Sequence, residues 1–352
     1  MSRALLRVAV LGAGTVGGEV IRAILERPGT LTVDGQPALT LAGIAVRDVE
    51  AAAARGFPPE LLTDAPAHLL AGGETDVVVE LMGGDEPART LIAAALGAGL
   101  PVVTANKHVL AHHGPELEAI ARRTGAALRF EASAGGGIPV LGPLAHDLAG
   151  NRVSAVRGIV NGTTNYILSA MTDEGRDYDD VLVAAQAAGY AEADPAGDVE
   201  GHDAVNKLVV LARLAFGVWL DPSAVVIVDA DGPGHGRPGI TGVTAADIAE
   251  AAAAGEVIKL IAAATRDEDG NIDARVVASR VDAGSALGRT SGVLNRIEVD
   301  ASPVGTVAFS GPGAGGPATS SAVLGDLLAI AAEGGSTWAS LPPAPAFSGA
   351  GA

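Results

Sequence analysis

Leu5–Leu11, with the sequence LLRVAVL, runs directly into the glycine turn Gly12–Gly17, with the sequence GAGTVG, and these two stretches decide the fold. The first is short and apolar, which predicts a buried strand. Gly18–Leu25 follows with apolar residues at helical spacing. A strand, a glycine turn and a helix in this order are typical of a dinucleotide-binding fold, although an ordinary strand-to-helix turn would have the same pattern.

Each glycine of the turn has its own expected role. Gly12 permits the tight turn, Gly14 lets a pyrophosphate approach the backbone, and Gly17 allows close packing of helix on strand. The N-terminus of the helix then stabilises the bound anion, which makes Thr15 and Val16 further candidates for cofactor binding.

Outward from the turn, strand-like segments alternate with Ala-rich helical segments. The further strands are predicted at Leu39–Val46, Asp76–Leu81, Pro101–Thr104 and Ala127–Glu131, and helices at Glu86–Ala98 and Pro115–Thr124. The strands are nearly continuously apolar, as in a parallel sheet covered on both faces. The first domain is therefore predicted to be α/β, a Rossmann-type doubly wound parallel sheet.

Length and composition exclude several classes of protein. The 352 residues exceed one domain of about 150, which predicts two domains. The absence of cysteine excludes a disulfide scaffold, a thiolate metal site and catalysis through a cysteine thioester. A formal net charge of −18 would repel nucleic acid and anionic membranes. No segment resembles a membrane span or a secretion signal, so a cytoplasmic location is expected.

The pattern changes after about residue 132 to clustered strands and helices, which predicts a second domain of α+β type. Strands are predicted at Arg152–Asn161, Glu256–Thr265, Asn271–Val281 and Val304–Ser310. Helices are predicted at Thr163–Met171, Asp179–Ala188, Gly201–Phe216, Ala245–Ala253 and Ser321–Ala332.

Arg47 and Asp48 follow the strand Leu39–Val46 and bear on the choice of cofactor. At this point an acidic residue binds a ribose 2′-hydroxyl, whereas an arginine accommodates a 2′-phosphate. Arg47 comes first, which favours NADP over NAD. The alternative is that both side chains are only solvated.

Two lysines are candidates for chemistry. Lys107 follows the strand Pro101–Thr104, outside the carboxyl end of the sheet, where open α/β sheets bind ligands. It is either a cation beside the nicotinamide or an exposed loop lysine. If a helix begins near Gly201, Asp203 and Lys207 share one helix face. They are either an ion pair on the surface, or Asp203 fixes the Lys207 ammonium so that it donates a proton to a reacting oxygen.

Two further segments carry polar side chains. Glu192–Asp203 holds five carboxylates, which are typical of a metal loop, a site for a cationic ligand, or a solvated turn. Val160–Asn165 ends a strand and begins a helix, with Thr163 or Thr164 as the expected N-cap. Capping does not explain Asn161 or Asn165, so both asparagines are candidates for substrate contact.

Seven segments, taken in order, resemble the homoserine dehydrogenase family over roughly residues 5–330. They are GAGTVG, VVVELMGG (Val77–Gly84), TANK (Thr104–Lys107), EASAGGGIP (Glu131–Pro139), GIVNGTTNYIL (Gly158–Leu168), the block Glu192–Lys207, and GPGAGGPATSSAVLGDL (Gly311–Leu327). The resemblance implies an NAD(P)-dependent oxidoreductase that interconverts L-aspartate 4-semialdehyde and L-homoserine in the biosynthesis of threonine, methionine and isoleucine.

The resemblance also implies roles for individual residues. Lys207 matches the proton donor, Asp203 the residue that orients it, and Lys107 a second catalytic lysine. Glu192 and Asp198 match carboxylates that bind the substrate's amino end. With these, the predicted substrate site includes Asn161 and Thr163. The predicted cofactor contacts are Gly12, Gly14, Thr15, Val16, Gly17, Arg47, Thr104, Lys107 and Gly313.

A monovalent cation site and the domain boundaries follow from the same resemblance. Glu131 and the backbone carbonyls of Ala134, Gly136 and Ile138 match a site that usually holds sodium. The turn Gly313–Gly316 matches one that returns the chain to the cofactor domain. The predicted domains are residues 1–133 with 311–340 for NAD(P), and 134–310 for substrate binding and dimerisation as a homodimer. Residues 341–352 are predicted to be a disordered tail.

Other functions stay open on the sequence alone. A different two-domain reductase would share the glycine turn, and a cofactor-binding sensor would share the fold without needing both lysines. The family includes members with a C-terminal regulatory domain, which Leu341–Ala352 is too short to form. Threonine is therefore expected to inhibit only by competing with homoserine.

Overall fold

The computed structural model describes residues 5–338 and 340–344. The strands are β1 (Leu6–Leu11), β2 (Thr32–Val33), β3 (Gln36–Pro37), β4 (Leu39–Ala45), β5 (Leu62–Thr63), β6 (Val77–Glu80), β7 (Val102–Thr104), β8 (Leu128–Arg129), β9 (Arg152–Ile159), β10 (Glu256–Arg266), β11 (Ile272–Asp282), β12 (Leu294–Ser302) and β13 (Gly305–Pro312).

Twelve α-helices are found within the described residues. They are α1 (Thr15–Glu26), α2 (Val49–Ala54), α3 (Pro66–Ala71), α4 (Ala88–Gly97), α5 (Lys107–Thr124), α6 (Leu141–Ala145), α7 (Gly162–Glu174), α8 (Tyr178–Ala187), α9 (Ala196–Val199), α10 (His202–Phe216), α11 (Ala245–Ala253) and α12 (Gly316–Ala331). None of the helices in the described part of the chain is both long and apolar enough to cross a bilayer.

The first compact unit comprises residues 5–146 and 314–343 and contains a six-stranded parallel sheet. The strand order is β5-β4-β1-β6-β7-β8, so the strand order reverses between β1 and β6. This is the doubly wound arrangement predicted from the glycine turn. Val8 and Val10 of β1 pack in one buried cluster with Ile21 of α1 and with Val323 and Leu327 of α12.

The second compact unit comprises residues 147–313 and contains a five-stranded antiparallel sheet in the order β11-β10-β9-β12-β13. The α+β class predicted for it is confirmed. β12 was not predicted. Its buried residues Asn295, Ile297 and Val299 are separated in sequence by Arg296 and Glu298, and Glu298 is itself buried. The charged residues interrupt the apolar pattern by which the other strands were predicted.

Two helices begin earlier than predicted. We placed a helix start at Pro115, but α5 begins at Lys107, because the side chain of Asn106 accepts a hydrogen bond from the Val109 amide at 3.1 Å and caps the helix. We placed another at Ser321, but α12 begins at Gly316, with Pro317 in its first turn, where a missing N–H costs little.

The chain passes between the units at residues 146/147 and 313/314, not at the predicted 133/134 and 310/311. The carboxylate of Glu131 explains the first difference, since it accepts hydrogen bonds from the amides of Val140, Leu141 and Gly142 at 2.7, 2.8 and 2.7 Å. These bonds hold the start of α6 on the first unit.

The predicted disordered tail falls mostly on residues 345–352, which lie outside the described residues. Within the described part, the carbonyl oxygen of Leu341 accepts a hydrogen bond from the Arg122 guanidinium at 2.9 Å. The ring of Trp338 is buried, 5.2 Å from that of Phe130. Trp338 and Leu341 are therefore both held by contacts within the first unit.

Candidate active site

The glycine turn shows three different requirements for the absence of a side chain. A Cβ atom on Gly12, whose φ is +100°, would lie 2.7 Å from the Leu81 carbonyl oxygen. A Cβ atom on Gly17 would overlap the Gly12 carbonyl group, so this glycine permits close packing. A Cβ atom on Gly14 would meet no protein atom within 4 Å. Gly14 and Thr15 are exposed at the N-terminus of α1, where a helix favours an anion.

Arg47 and Asp48 differ in what their side chains do. Asp48 caps α2, and its carboxylate accepts a hydrogen bond from the Ala51 amide at 2.8 Å. Arg47 is exposed between the end of β4 and this cap. Both residues are exposed, but one carboxylate oxygen of Asp48 is engaged by its own helix.

The two predicted contacts after β7 lie in different environments. The hydroxyl of Thr104 is fully buried and donates to the Glu80 carboxylate at 2.6 Å, so the structure turns it toward the protein interior. Lys107 is half-buried and is the first residue of α5, so of the two alternatives the exposed loop lysine is wrong.

Lys207 is the centre of the polar cluster in the second unit. It is 6% exposed, and Nζ lies 2.8 Å from Oδ2 of Asp203. The same ammonium donates to the Val160 carbonyl oxygen at 2.6 Å. The i, i+4 spacing predicted for Asp203 and Lys207 thus brings the two side chains together on a helix that begins after Gly201, whose φ is +91°.

Asn161 joins this cluster to a third acidic residue. Its amide nitrogen donates to Asp198 at 2.7 Å and to Asp203 at 2.8 Å. Its amide oxygen accepts from the Thr164 amide at 2.8 Å, which makes Asn161 the N-cap of α7. The expected cap at Thr163 or Thr164 was wrong, because an asparagine preceding the helix reaches the free amide first.

The other predicted substrate residues are less buried. The hydroxyl of Thr163 donates to the Tyr190 carbonyl oxygen at 2.9 Å, and the side chain of Glu192 is exposed. Asn165, in contrast, is buried; its side chain accepts from Nζ of Lys259 at 3.0 Å and donates to the Leu294 carbonyl oxygen at 3.0 Å. The Asn165 side chain thus forms its hydrogen bonds within the second unit.

The loop predicted to hold a cation offers backbone carbonyl groups as its donors. The Glu131 carboxylate accepts hydrogen bonds from three backbone amides at the start of α6, which leaves acceptor capacity on its two oxygens. The carbonyl oxygens of Ala134, Gly136 and Ile138 accept no hydrogen bond from the backbone of residues 5–338 or 340–344. Backbone oxygens are among the donors that hard cations prefer, whereas no group of three or more His, Asp or Glu side chains in the described ranges is arranged for a metal.

Gly313 ends the second unit. A Cβ atom there would overlap the side-chain amide of Asn295, which is 1% exposed. Packing within the unit therefore accounts for this glycine, and its predicted cofactor contact stays a prediction.

Comparison with known proteins places this geometry in a family. Residues 139–328 match the family described as homoserine dehydrogenase, and residues 12–131 match its NAD binding domain. The homoserine dehydrogenase of Mycobacterium leprae is 45% identical over 328 residues, covering 92% of this chain and 72% of that protein. The enzyme of Corynebacterium glutamicum is 42% identical over 347 residues, covering 95% and 76%. A crystal structure of a homoserine dehydrogenase from Thiobacillus denitrificans, 36% identical, has a TM-score of 0.88 and covers 97% of this chain and 79% of that chain.

The fold and these matches define an NAD(P)-dependent oxidoreductase that acts on a CH–OH group. Its first unit carries the nicotinamide-dinucleotide domain. The chain belongs to the homoserine dehydrogenase family.

Proposed function

We propose that Lys207 is the proton donor in the interconversion of L-aspartate 4-semialdehyde and L-homoserine. The observation that carries this role is the buried ammonium of Lys207, held at 2.8 Å from Asp203 and at 2.6 Å from the Val160 carbonyl oxygen. Reduction of an aldehyde requires a hydride and a proton. The nicotinamide cofactor supplies the hydride to the carbonyl carbon, and Lys207 supplies the proton to the carbonyl oxygen.

Steady-state oxidation of homoserine tests this function. The full chain is expected to form NAD(P)H, followed by its absorbance in the near ultraviolet, when homoserine and NAD(P) are both present. Threonine, which has the same amino-acid end but a secondary alcohol, is the control substrate. Absence of turnover with homoserine in either cofactor would contradict the proposal.

The remaining predicted residues have supporting roles in the proposal. Asp203 and Asn161 orient Lys207, and Lys107 acts as a second lysine. Asp198 and Glu192 bind the substrate's ammonium group, and Thr163 contributes to the same substrate site. A site for a negatively charged group would need lysine or arginine instead, so the acidic residues of this cluster support a substrate that carries an ammonium group.

Asn161→Asp tests the link between the carboxylates. The change keeps an oxygen that caps α7 but removes both N–H donors and adds a third acidic group beside Asp198 and Asp203. We expect kcat/KM for homoserine to fall about tenfold to a hundredfold because the lysine loses its fixed position. NADPH affinity, measured on the same preparation, should be unchanged. Wild-type kcat/KM in this variant would contradict the linking role.

We propose that NADP is preferred over NAD, because Asp48 is engaged as a helix cap while Arg47 is exposed. Arg47→Ala should lower kcat/KM for NADPH by about tenfold or more, as expected for the loss of a charge-assisted hydrogen bond. The value for NADH should not change, since that cofactor has no 2′-phosphate. An unaltered NADPH-to-NADH ratio would show that Arg47 does not bind the phosphate.

A monovalent cation, usually sodium in the family, is proposed to bind at Glu131 and the carbonyl oxygens of Ala134, Gly136 and Ile138. This donor set is supported by the three carbonyl oxygens, which accept no backbone hydrogen bond from the part of the chain that the structure describes. The cation would stabilise the loop that precedes α6. The predicted homodimer and cytoplasmic location stay predictions.

A further inference from the structure

Glu80 is a buried carboxylate that the proposed chemistry does not use. It is the last residue of β6 and is 0% exposed. Burial raises the pKa of its carboxyl group. Its hydrogen-bond donors among the described residues are all neutral groups. Because a buried carboxylate is unfavourable unless hydrogen bonds compensate it, its donors indicate what it holds in place.

One carboxylate oxygen holds the loop that follows β6. Oε1 accepts from the amides of Met82 at 2.8 Å and Gly83 at 3.3 Å. Leu81, at the start of this loop, lies so close to the glycine turn that a Cβ atom on Gly12 would be 2.7 Å from its carbonyl oxygen. The carboxylate therefore fixes the segment on which the first glycine of the turn packs.

The other oxygen holds the end of the neighbouring strand. Glu80 and Thr104 are register partners in the parallel pair β6–β7, and Oε2 accepts from the Thr104 hydroxyl at 2.6 Å. That hydroxyl in turn accepts a hydrogen bond from the backbone amide of Asn106 at 3.0 Å. Glu80 thus reaches the segment that leads into α5.

Asn106 closes the network and sets where α5 begins. Its side-chain nitrogen donates to the Gly84 carbonyl oxygen at 2.8 Å, which returns the network to the loop after β6. Its side-chain oxygen caps α5, which begins at Lys107. One buried carboxylate therefore connects two loops at the carboxyl ends of neighbouring parallel strands, where open α/β sheets bind ligands.

We propose that Glu80 is a positioning residue for the nicotinamide cofactor. It holds the loop beside Gly12 and the start of α5 in one fixed arrangement, without touching the cofactor itself, since its side chain is fully buried. The inference rests on the cofactor site proposed at the glycine turn. Positioning of this kind affects cofactor affinity strongly, because small displacements of binding groups weaken every contact they make.

NADPH affinity of the full chain, measured by fluorescence titration, tests the proposal. Glu80→Gln and Thr104→Val should each raise the Kd by about tenfold or more. The double variant should be little weaker than either single variant, because both changes break one network. Thr104→Ser keeps the hydroxyl and should restore most of the affinity. If Glu80→Gln does not fold, Thr104→Val carries the test, because it keeps the Glu80 carboxylate and its bonds from the Met82 and Gly83 amides.

Thr75→Val is the matched control. The Thr75 hydroxyl is also buried in the first unit and donates to the Leu69 carbonyl oxygen at 2.7 Å. Its removal should lower the Tm but leave the Kd for NADPH unchanged. If Glu80→Gln and Thr104→Val behave in the same way, the positioning role is wrong. Gly14→Val distinguishes failure of the positioning role from failure of the proposed cofactor site. If Gly14→Val abolishes NADPH binding while the network variants bind normally, only the positioning role fails. If Gly14→Val also binds NADPH normally, the cofactor site is not at the glycine turn.

Discussion

Replacing Lys207 with alanine is expected to lower kcat for homoserine oxidation by about two to four orders of magnitude, the range for loss of a general acid or base. The lysine is buried and lies within hydrogen-bond distance of Asp203 and the Val160 carbonyl oxygen, so alanine removes an ammonium that is held in a fixed position. NADPH affinity should be unchanged, because the glycine turn is not altered. Asp203→Asn should have a smaller effect, since it loosens the ammonium without removing it.

Lys259→Met is the matched control for the loss of a buried ammonium. Lys259 is 3% exposed in the same unit, and its Nζ donates to Asn165, Ser169 and the Thr290 carbonyl oxygen. Burial lowers the pKa of this lysine to about 8. Its replacement should change the Tm and leave kcat within severalfold. Comparable kcat losses in the two variants, or near-normal turnover in Lys207→Ala, would contradict the proton-donor role.

Gly14→Val is expected to abolish cofactor binding while the protein stays folded. The added side chain meets no protein atom within 4 Å of its Cβ position, and the φ of this residue, −70°, lies outside the left-handed region that favours glycine. It would occupy the space through which a pyrophosphate approaches the backbone. Fluorescence titration with NADPH should show no saturation, and circular dichroism should show an unchanged Tm.

Gly17→Val gives the opposite expectation and serves as the comparison. Its Cβ atom would overlap the Gly12 carbonyl group, so this change should lower the Tm strongly. Normal NADPH affinity in Gly14→Val would mean that the turn is not the cofactor site.

Features set by local sequence could be predicted well. The parallel strands followed from continuous apolar runs such as that in Asp76–Leu81, and the contact between Asp203 and Lys207 followed from helix geometry. The local sequence indicated the wrong first residue of a helix where a capping side chain fixes the helix start. Pro115 suggested a helix start, but capping by Asn106 begins α5 at Lys107, earlier in the chain.

Long-range contacts explain what the sequence did not reveal about the site. Asn161 bonds to Asp198 and Asp203, 37 and 42 residues away, and no local spacing indicates that one amide would join them. Glu80 contacts Thr104, 24 residues away. The only local signal was an acidic residue that ends a fully apolar strand, which would have predicted a buried carboxylate in need of donors.

Transfer of deuterium from the cofactor to the substrate tests the central claim most directly. The full chain would be incubated with L-aspartate 4-semialdehyde and NADPH that carries deuterium at the transferred position of C4, and the product analysed by mass spectrometry. Direct hydride transfer predicts homoserine that is one mass unit heavier, with the deuterium on the carbon that bears the hydroxyl. No homoserine, or homoserine without deuterium, would contradict the proposed reaction.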